Sequence, residues 1–88
     1  MGNKKDIKIL LVEDANVMRK MEKKVLSSLN YTNILEAEDG NAAIEILMKN
    51  EINLIISDWA MPNKDGYELL LWVRQNEKFK AVPFLMAT

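Results

Sequence analysis

The sequence contains no cysteine and no histidine among its 88 residues. Without cysteine, the chain has no disulfide, no zinc–thiolate site and no thiol nucleophile. Without histidine, it has no imidazole metal ligand, no histidine-dependent triad and no phosphohistidine of its own. Its chemistry therefore depends on carboxylate, hydroxyl and amine groups.

An excess of charge of one sign and long apolar runs are also lacking. Twelve basic and thirteen acidic side chains leave a formal net charge of -1, which is not the electrostatic signature of a nucleic-acid-binding protein. No apolar run approaches membrane-spanning length, and residues 1–8 lack the apolar core of a signal peptide. The length and the 49% hydrophobic content indicate one globular domain over residues 1–88. We expect it to be cytoplasmic, without a nucleic-acid or membrane partner.

Short apolar runs alternate with longer amphipathic stretches along the chain. Strands are predicted over residues 7–12, 34–37, 52–57 and 81–88, and helices over 16–29, 41–49 and 67–75. The order βαβαβαβ with continuous apolar strands indicates a parallel sheet that is covered on both faces. In the third helix, Leu69 to Leu71 and Trp72 are interpreted as core rather than as a partner surface.

Acidic residues follow two of the predicted strands. Glu13 and Asp14 come after the first strand, and Asp58 comes after the third. Functional sites of open α/β sheets form at the carboxyl ends of strands. If these two strands are neighbours, three carboxylates converge, which favours a hard divalent cation or a perturbed catalytic carboxylate. The alternative is that each acid caps the next helix, because aspartate is favoured at N-caps.

Four segments resemble the receiver domain of two-component response regulators. They are ILLVEDANVMRK, AEDGNAAIEIL, LIISDWAMPNKDGYELL and VPFLMAT, in that order. The resemblance spans nearly the whole chain. It implies a flavodoxin-like (CheY-like), doubly wound parallel α/β fold, whose complete form has the strand order 2-1-3-4-5.

The resemblance also implies roles for individual residues. It makes Asp58 the phosphoryl acceptor, with Asp14 a direct ligand of Mg²⁺ or Mn²⁺ and Glu13 acting chiefly through water. The backbone carbonyl of Ala60 joins the metal, and the hydroxyl of Thr88 contacts the phosphoryl group. The implied function is two-component signalling rather than enzymatic turnover. The implied partner is a histidine kinase or phosphotransfer protein, since this chain has no histidine.

The sequence departs from the family pattern at its C-terminal end. The family continues beyond Thr88 with a helix, a strand that carries a lysine, and a further helix, so we expect a receiver truncated after its fourth strand, with impaired phosphorylation. Gly66 matches the family loop, where we expect it to let the backbone turn.

Two alternative functions follow from the same residues. A receiver fragment that self-associates without phosphotransfer is the first alternative, and we expect a homodimer through the exposed edge of the fourth strand. A metal-dependent hydrolase is disfavoured, because Ala60 stands where a second catalytic aspartate would be needed.

Overall fold

Strands and helices alternate along the chain. The computed structural model describes residues 3–59, 61 and 64–87. A short 3-10 helix, Lys4–Asp6, precedes the alternating elements. These are β1 (Ile9–Val12), α1 (Asn16–Ser28), β2 (Ile34–Ala37), α2 (Gly40–Lys49), β3 (Leu54–Asp58), α3 (Gly66–Gln75) and β4 (Phe84–Ala87). The order predicted from the sequence is confirmed.

Three strands differ from the sequence-based bounds. β1 begins at Ile9 rather than at residue 7. β4 begins at Phe84 rather than at residue 81, because the preceding segment is coiled into turns. In that segment the Lys80 N–H donates to the Asn76 carbonyl at 2.8 Å and the Val82 N–H to the Phe79 carbonyl at 2.9 Å. β3 begins at Leu54, two residues later than predicted, and runs on to Asp58, one residue further than predicted.

The four strands form one parallel sheet with the order β2-β1-β3-β4. All four residues of β1 are buried, as expected for a central strand covered on both faces. This confirms the flavodoxin-like arrangement predicted from the sequence. Its consequence for function is that β1 and β3, the strands that precede the acidic residues, are direct neighbours.

The main core lies between the sheet and the helices α2 and α3. Side chains of alternate strand residues pack there against both helices. The cluster consists of Leu10, Val12, Ala37, Ala43, Leu47, Ile52, Ile55, Met61, Leu69, Val73 and Phe79. Each large aliphatic side chain buried here contributes about 1.5–3 kcal/mol. Trp72 stacks on Phe79, with 5.7 Å between ring centroids.

The interpretation of the third helix as core is only partly correct. Leu69 is fully buried, but Leu71 is 41% exposed. The two residues lie about 200° apart around the helix, so they cannot both face the sheet.

Helix α1 covers the other face of the sheet incompletely. None of its residues, all of which the structure describes, is fully buried. On its β2 side, Arg19 Nε and Lys23 Nζ contact the two carboxylate oxygens of Glu36 at 3.1 and 3.0 Å. On its β3 side a groove of about 330 Å³ opens between α1 and the residues Leu11 and Ile56 of the sheet.

Candidate functional site

The strand register brings the acidic residues together. In the β1–β3 ladder Val12 pairs with Ser57, so the next residues, Glu13 and Asp58, lie side by side at the carboxyl ends of these neighbouring strands. One carboxylate oxygen from each of Glu13, Asp14 and Asp58 lies within 4.8 Å of the other two. The convergence expected from the sequence is therefore present in the structure.

The three carboxylates differ in their surroundings. Glu13 is 7% exposed, and its Oε2 accepts a hydrogen bond of 3.0 Å from the Ala15 N–H. Asp58 is half-buried, and its Oδ1 accepts from the N–H of Trp59 at 2.8 Å. Asp14 is exposed. One buried, one half-buried and one exposed carboxylate thus form a small acidic hollow that is open to solvent on one side.

Helix capping does not account for these acids. The N-cap of α1 is Ala15, which makes no side-chain cap bond. The N-caps of α2 and α3 are Asp39 and Asp65, and Asp65 forms a capping box with Glu68. None of the three converging residues caps a helix, so the capping alternative is wrong.

Burial and neighbouring acidic groups both disfavour the ionised form of Glu13. Burial raises the pKa of the Glu13 carboxyl, and its contact with Asp14 and the charge of Asp58 raise it too, against the lowering effect of the Ala15 N–H. Two like unit charges 4.8 Å apart repel by about 3.5 kcal/mol at an effective dielectric constant near 20, and by about 1 kcal/mol in water. A cation bound between Glu13 and Asp58 would remove this cost.

The donor set fits a small hard cation. All the converging atoms are carboxylate oxygens, the ligands that Mg²⁺ and Mn²⁺ prefer. Two oxygens bound to one octahedral Mg²⁺ lie about 3.0 Å apart in cis positions and about 4.2 Å apart in trans positions, so oxygens within 4.8 Å reach one ion after side-chain adjustment. The exposed side leaves room for the water ligands that Mg²⁺ usually keeps.

Two glycines fasten the loop that follows Asp58. The Gly66 N–H donates to the Trp59 carbonyl at 2.8 Å, and the Gly40 N–H donates to the Lys64 carbonyl at 2.9 Å. Neither glycine has a positive φ, so the expected role of Gly66 in permitting a turn is wrong. A Cβ on Gly66 would lie 2.1 Å from the Asp58 carbonyl oxygen. The start of α3 and the end of β3 approach so closely here that only glycine fits.

Two implied site residues fall outside the described residues. Ala60 follows Trp59, and Thr88 follows Ala87, the strand partner of Asp58. Trp59 itself is 49% exposed and packs against the Tyr67 ring, with 5.8 Å between centroids. An indole directly beside Asp58 provides an optical probe of the hollow.

The sequence reasoning missed Glu22. This residue lies four positions from both Met18 and Leu26, so it interrupts the apolar stripe of α1. Its side chain lines the groove beside the sheet, and burial followed by the charge of Asp58 raises its pKa. A charged residue on an apolar helical stripe is the signal that would have singled it out.

The fold and the acidic hollow together define a receiver domain. The response regulator receiver domain family matches residues 9–88, and the chain belongs to this family. The chemotaxis protein CheY-3 of Vibrio cholerae is 39% identical over 84 residues, which is 96% of this chain and 65% of that protein. The chemotaxis protein CheY of Pseudomonas aeruginosa is 40% identical over 82 residues, 93% of this chain and 66% of that protein.

Solved structures agree with this assignment. The signal receiver domain of a signal transduction histidine kinase from Syntrophus aciditrophicus superposes with a TM-score of 0.88 at 31% identity, covering 92% of this chain and 61% of that one. The chemotaxis response regulator CheY4 of Vibrio cholerae gives a TM-score of 0.84 at 34% identity, with 91% and 66% covered. The chain thus spans just under two thirds of the length of these relatives. In the part of the chain that the structure describes, no helix has the length and hydropathy needed to cross a bilayer.

Proposed function

We propose that this chain is a cytoplasmic two-component receiver that accepts a phosphoryl group on Asp58 from a histidine kinase or phosphotransfer protein. The observation that carries the proposal is the convergence of Glu13, Asp14 and Asp58 within 4.8 Å at the carboxyl ends of β1 and β3. Membership of the receiver family supports it, and receivers are signalling modules rather than enzymes that turn over a substrate.

Asp58 is the acceptor because of its position. It is half-buried at the end of β3, and the Trp59 N–H donor to Oδ1 orients the carboxylate. The other oxygen, Oδ2, attacks phosphorus, an Oδ2–P bond forms, and the bond from phosphorus to the donor nitrogen breaks. The departing imidazole keeps the electron pair and takes a proton. The resulting acyl phosphate stores free energy that a conformational switch can use.

Mg²⁺ or Mn²⁺ held by Glu13, Asp14 and Asp58, with the Ala60 carbonyl as a further ligand, would neutralise the incoming phosphoryl charge and hold it in line for attack. Glu13 acts as the buried anchor of that site, because the Ala15 N–H fixes its Oε2. Its backbone is fixed too, since its carbonyl accepts from Arg19 Nη1 at 2.7 Å. Asp14, which is exposed, is the ligand that adjusts to the ion.

Mass spectrometry after incubation with acetyl phosphate and Mg²⁺ tests the proposal. We expect one phosphoryl group, on Asp58, and none after Asp58→Asn or after chelation of the metal. Asp65→Asn is the matched control, because asparagine keeps the N-cap of α3 and labelling should persist. Labelling that survives Asp58→Asn would remove Asp58 from the role.

We further propose that the chain self-associates, and this is the second candidate function. β4 is the outer strand of the described sheet, paired only with β3, and unpaired edges invite pairing with another chain. An antiparallel meeting of two β4 strands across a two-fold axis is one arrangement. The apolar face of α1 offers a second surface to another copy. Sedimentation at micromolar concentration tests the association itself, and a monomer would contradict it.

A further inference from the structure

One arginine, Arg19, joins three separate parts of the structure beside the acidic hollow. Its guanidinium donates from Nη1 to the Glu13 carbonyl at 2.7 Å, from Nε to Glu36 Oε1 at 3.1 Å, and from Nη2 to Asn16 Oδ1. These partners belong to the residue after β1, to β2 and to the first residue of α1. The Arg19 side chain is only 14% exposed, so the contacts are largely shielded from water. A planar guanidinium holds such partners in one relative geometry, which a lysine ammonium cannot do.

The turn between β1 and α1 carries two of the three acids of the hollow. The Glu13 N–H donates to the Ala37 carbonyl of β2 at 3.0 Å, and the Arg19 bond fixes the carbonyl on the other side of the same residue. The helix that follows begins at Asn16 and has no side-chain bond at its N-cap. The contact from Arg19 to Asn16 ties this uncapped start to the same guanidinium. Asp14, which lies between these tied residues, therefore takes its position from the backbone on either side.

The sign of the effect on a bound metal separates two roles for Arg19. It contacts Glu13 through the backbone carbonyl, and its carboxylate partner is Glu36 of β2. A fixed positive charge near a metal site repels the metal, so a purely electrostatic role would weaken metal binding. A role in placing the turn has the opposite sign, since the groups that orient metal ligands typically improve metal affinity by roughly 10–100-fold.

We propose that Arg19 is a positioning residue that makes the acidic hollow selective for a small cation. By holding the Glu13 carbonyl and the start of α1 in one geometry, it fixes the spacing between the Glu13 and Asp14 carboxylates. Mg²⁺ demands near-ideal octahedral geometry with oxygens at about 2.0–2.1 Å, whereas Ca²⁺ accepts irregular arrangements at about 2.3–2.6 Å. A loosened turn should thus lose affinity for Mg²⁺ before it loses affinity for Ca²⁺. The inference rests on the metal site proposed above.

Arg19→Lys tests the proposal, because it keeps the charge and removes the three-way geometry. Isothermal titration calorimetry and Trp59 fluorescence measure metal binding without any phosphoryl donor. We expect the Mg²⁺ dissociation constant to rise about tenfold and the Ca²⁺ constant to rise less than about threefold. Arg74→Lys is the matched control and should leave both constants unchanged. Arg74 also donates to two carbonyls, those of Lys80 and Val82 at 2.9 and 2.8 Å, but near the C-terminal end of α3.

Phosphoryl labelling with acetyl phosphate gives a second readout. Arg19→Lys should need about tenfold more Mg²⁺ for half-maximal labelling. The labelling rate at saturating Mg²⁺ should stay close to that of the parent chain, because the hydrogen bonds of Arg19 do not involve Asp58. A merely structural role would lower the amount of labelled protein through loss of folded chain and leave the half-maximal Mg²⁺ concentration unchanged.

The possible results separate the positioning role from the metal site itself. Circular dichroism shows whether Arg19→Lys is folded. If it is not, Asn16→Ala removes only the third contact and should still raise the Mg²⁺ constant more than the Ca²⁺ constant. An unchanged or lower Mg²⁺ constant, or equal losses for both cations, would overturn the positioning role and leave the metal site standing. A parent chain that binds neither cation would overturn the metal site, and this inference with it.

Discussion

Replacing Gly66 with alanine should destabilise the protein, against the usual effect of this substitution in a helix. Gly66 is the first residue of α3, and alanine is normally favoured over glycine in a helix by about 0.5–1 kcal/mol. Here the added Cβ would lie 2.1 Å from the Asp58 carbonyl oxygen and 2.9 Å from Met86 Sδ, where real contacts are essentially never shorter than 3.0 Å. The methionine side chain can move, but the carbonyl belongs to β3.

The magnitude follows from that distance. Relief of the contact needs a backbone displacement of about 1 Å, and overpacking of this kind costs about 1–3 kcal/mol. Because main chain meets main chain, we expect a net loss of about 2–3 kcal/mol. For a domain of this size that lowers the melting temperature by roughly 10–20 °C. The displaced carbonyl belongs to Asp58 itself, so its carboxylate should shift too and phosphoryl labelling should fall as well.

Urea unfolding monitored by tryptophan fluorescence measures the change, and far-ultraviolet circular dichroism checks the fold. Asn41→Ala, at an exposed position of α2, is the control and should be close to neutral. Gly40→Ala should show a smaller loss, since its Cβ would meet the Lys64 carbonyl oxygen at the longer distance of 2.5 Å, with Cβ and Cγ of Lys64 at 2.6 and 2.7 Å. An equal or higher stability of Gly66→Ala would refute the argument from close approach.

Two further predictions concern the metal and pH. Mg²⁺ should change Trp59 fluorescence, because the indole adjoins the acidic hollow; Asp14→Asn should weaken that response, and an unchanged response would remove Asp14 from the ligand set. Glu36→Gln should destabilise the fold by less than about 1 kcal/mol at neutral pH. The Lys23 and Arg19 contacts lower the pKa of Glu36 below 4.5, so this contribution should disappear as the pH falls through the lowered value. A difference that persists in acid would show that Glu36 acts through packing.

The fold was predictable because the strand and helix periodicities are strong and agree with the order of the elements. β2 has the predicted bounds, residues 34–37. Bounds that depend on specific hydrogen bonds were not predictable, as at β4, where turns occupy the start of an apolar run. The acidic residues were found because they lie at the carboxyl ends of the predicted strands. Their direct adjacency depends on the Val12–Ser57 register, which no local pattern encodes.

Other parts of the site depend on contacts between distant segments. The close approach of Gly66 to Asp58 links a helix start to a strand end, and a glycine in a loop ordinarily suggests only a turn. The exposure of Leu71 depends on which side of α3 meets the sheet. Glu22 is visible in the sequence as an acid on an apolar stripe, but only the structure shows that its buried Oε1 has no hydrogen-bond partner among the described residues and that Arg19 and Lys23 contact Glu36 instead.

Because α1 is incompletely buried, the segment that carries Glu13 and Asp14 and the segment that carries Asp58 differ in local stability. Glu13 and Asp14 lead directly into α1, a helix without a fully buried residue. After Asp58, in contrast, the carbonyls of Trp59 and Lys64 accept hydrogen bonds from the N–H groups of Gly66 in α3 and Gly40 in α2. Segments with few buried contacts open with lower free energy than the core does. In a single copy, the amides of α1 should therefore exchange with solvent deuterium long before those of α3. Whatever covers α1 would slow that exchange and steady Glu13 and Asp14 without touching either carboxylate.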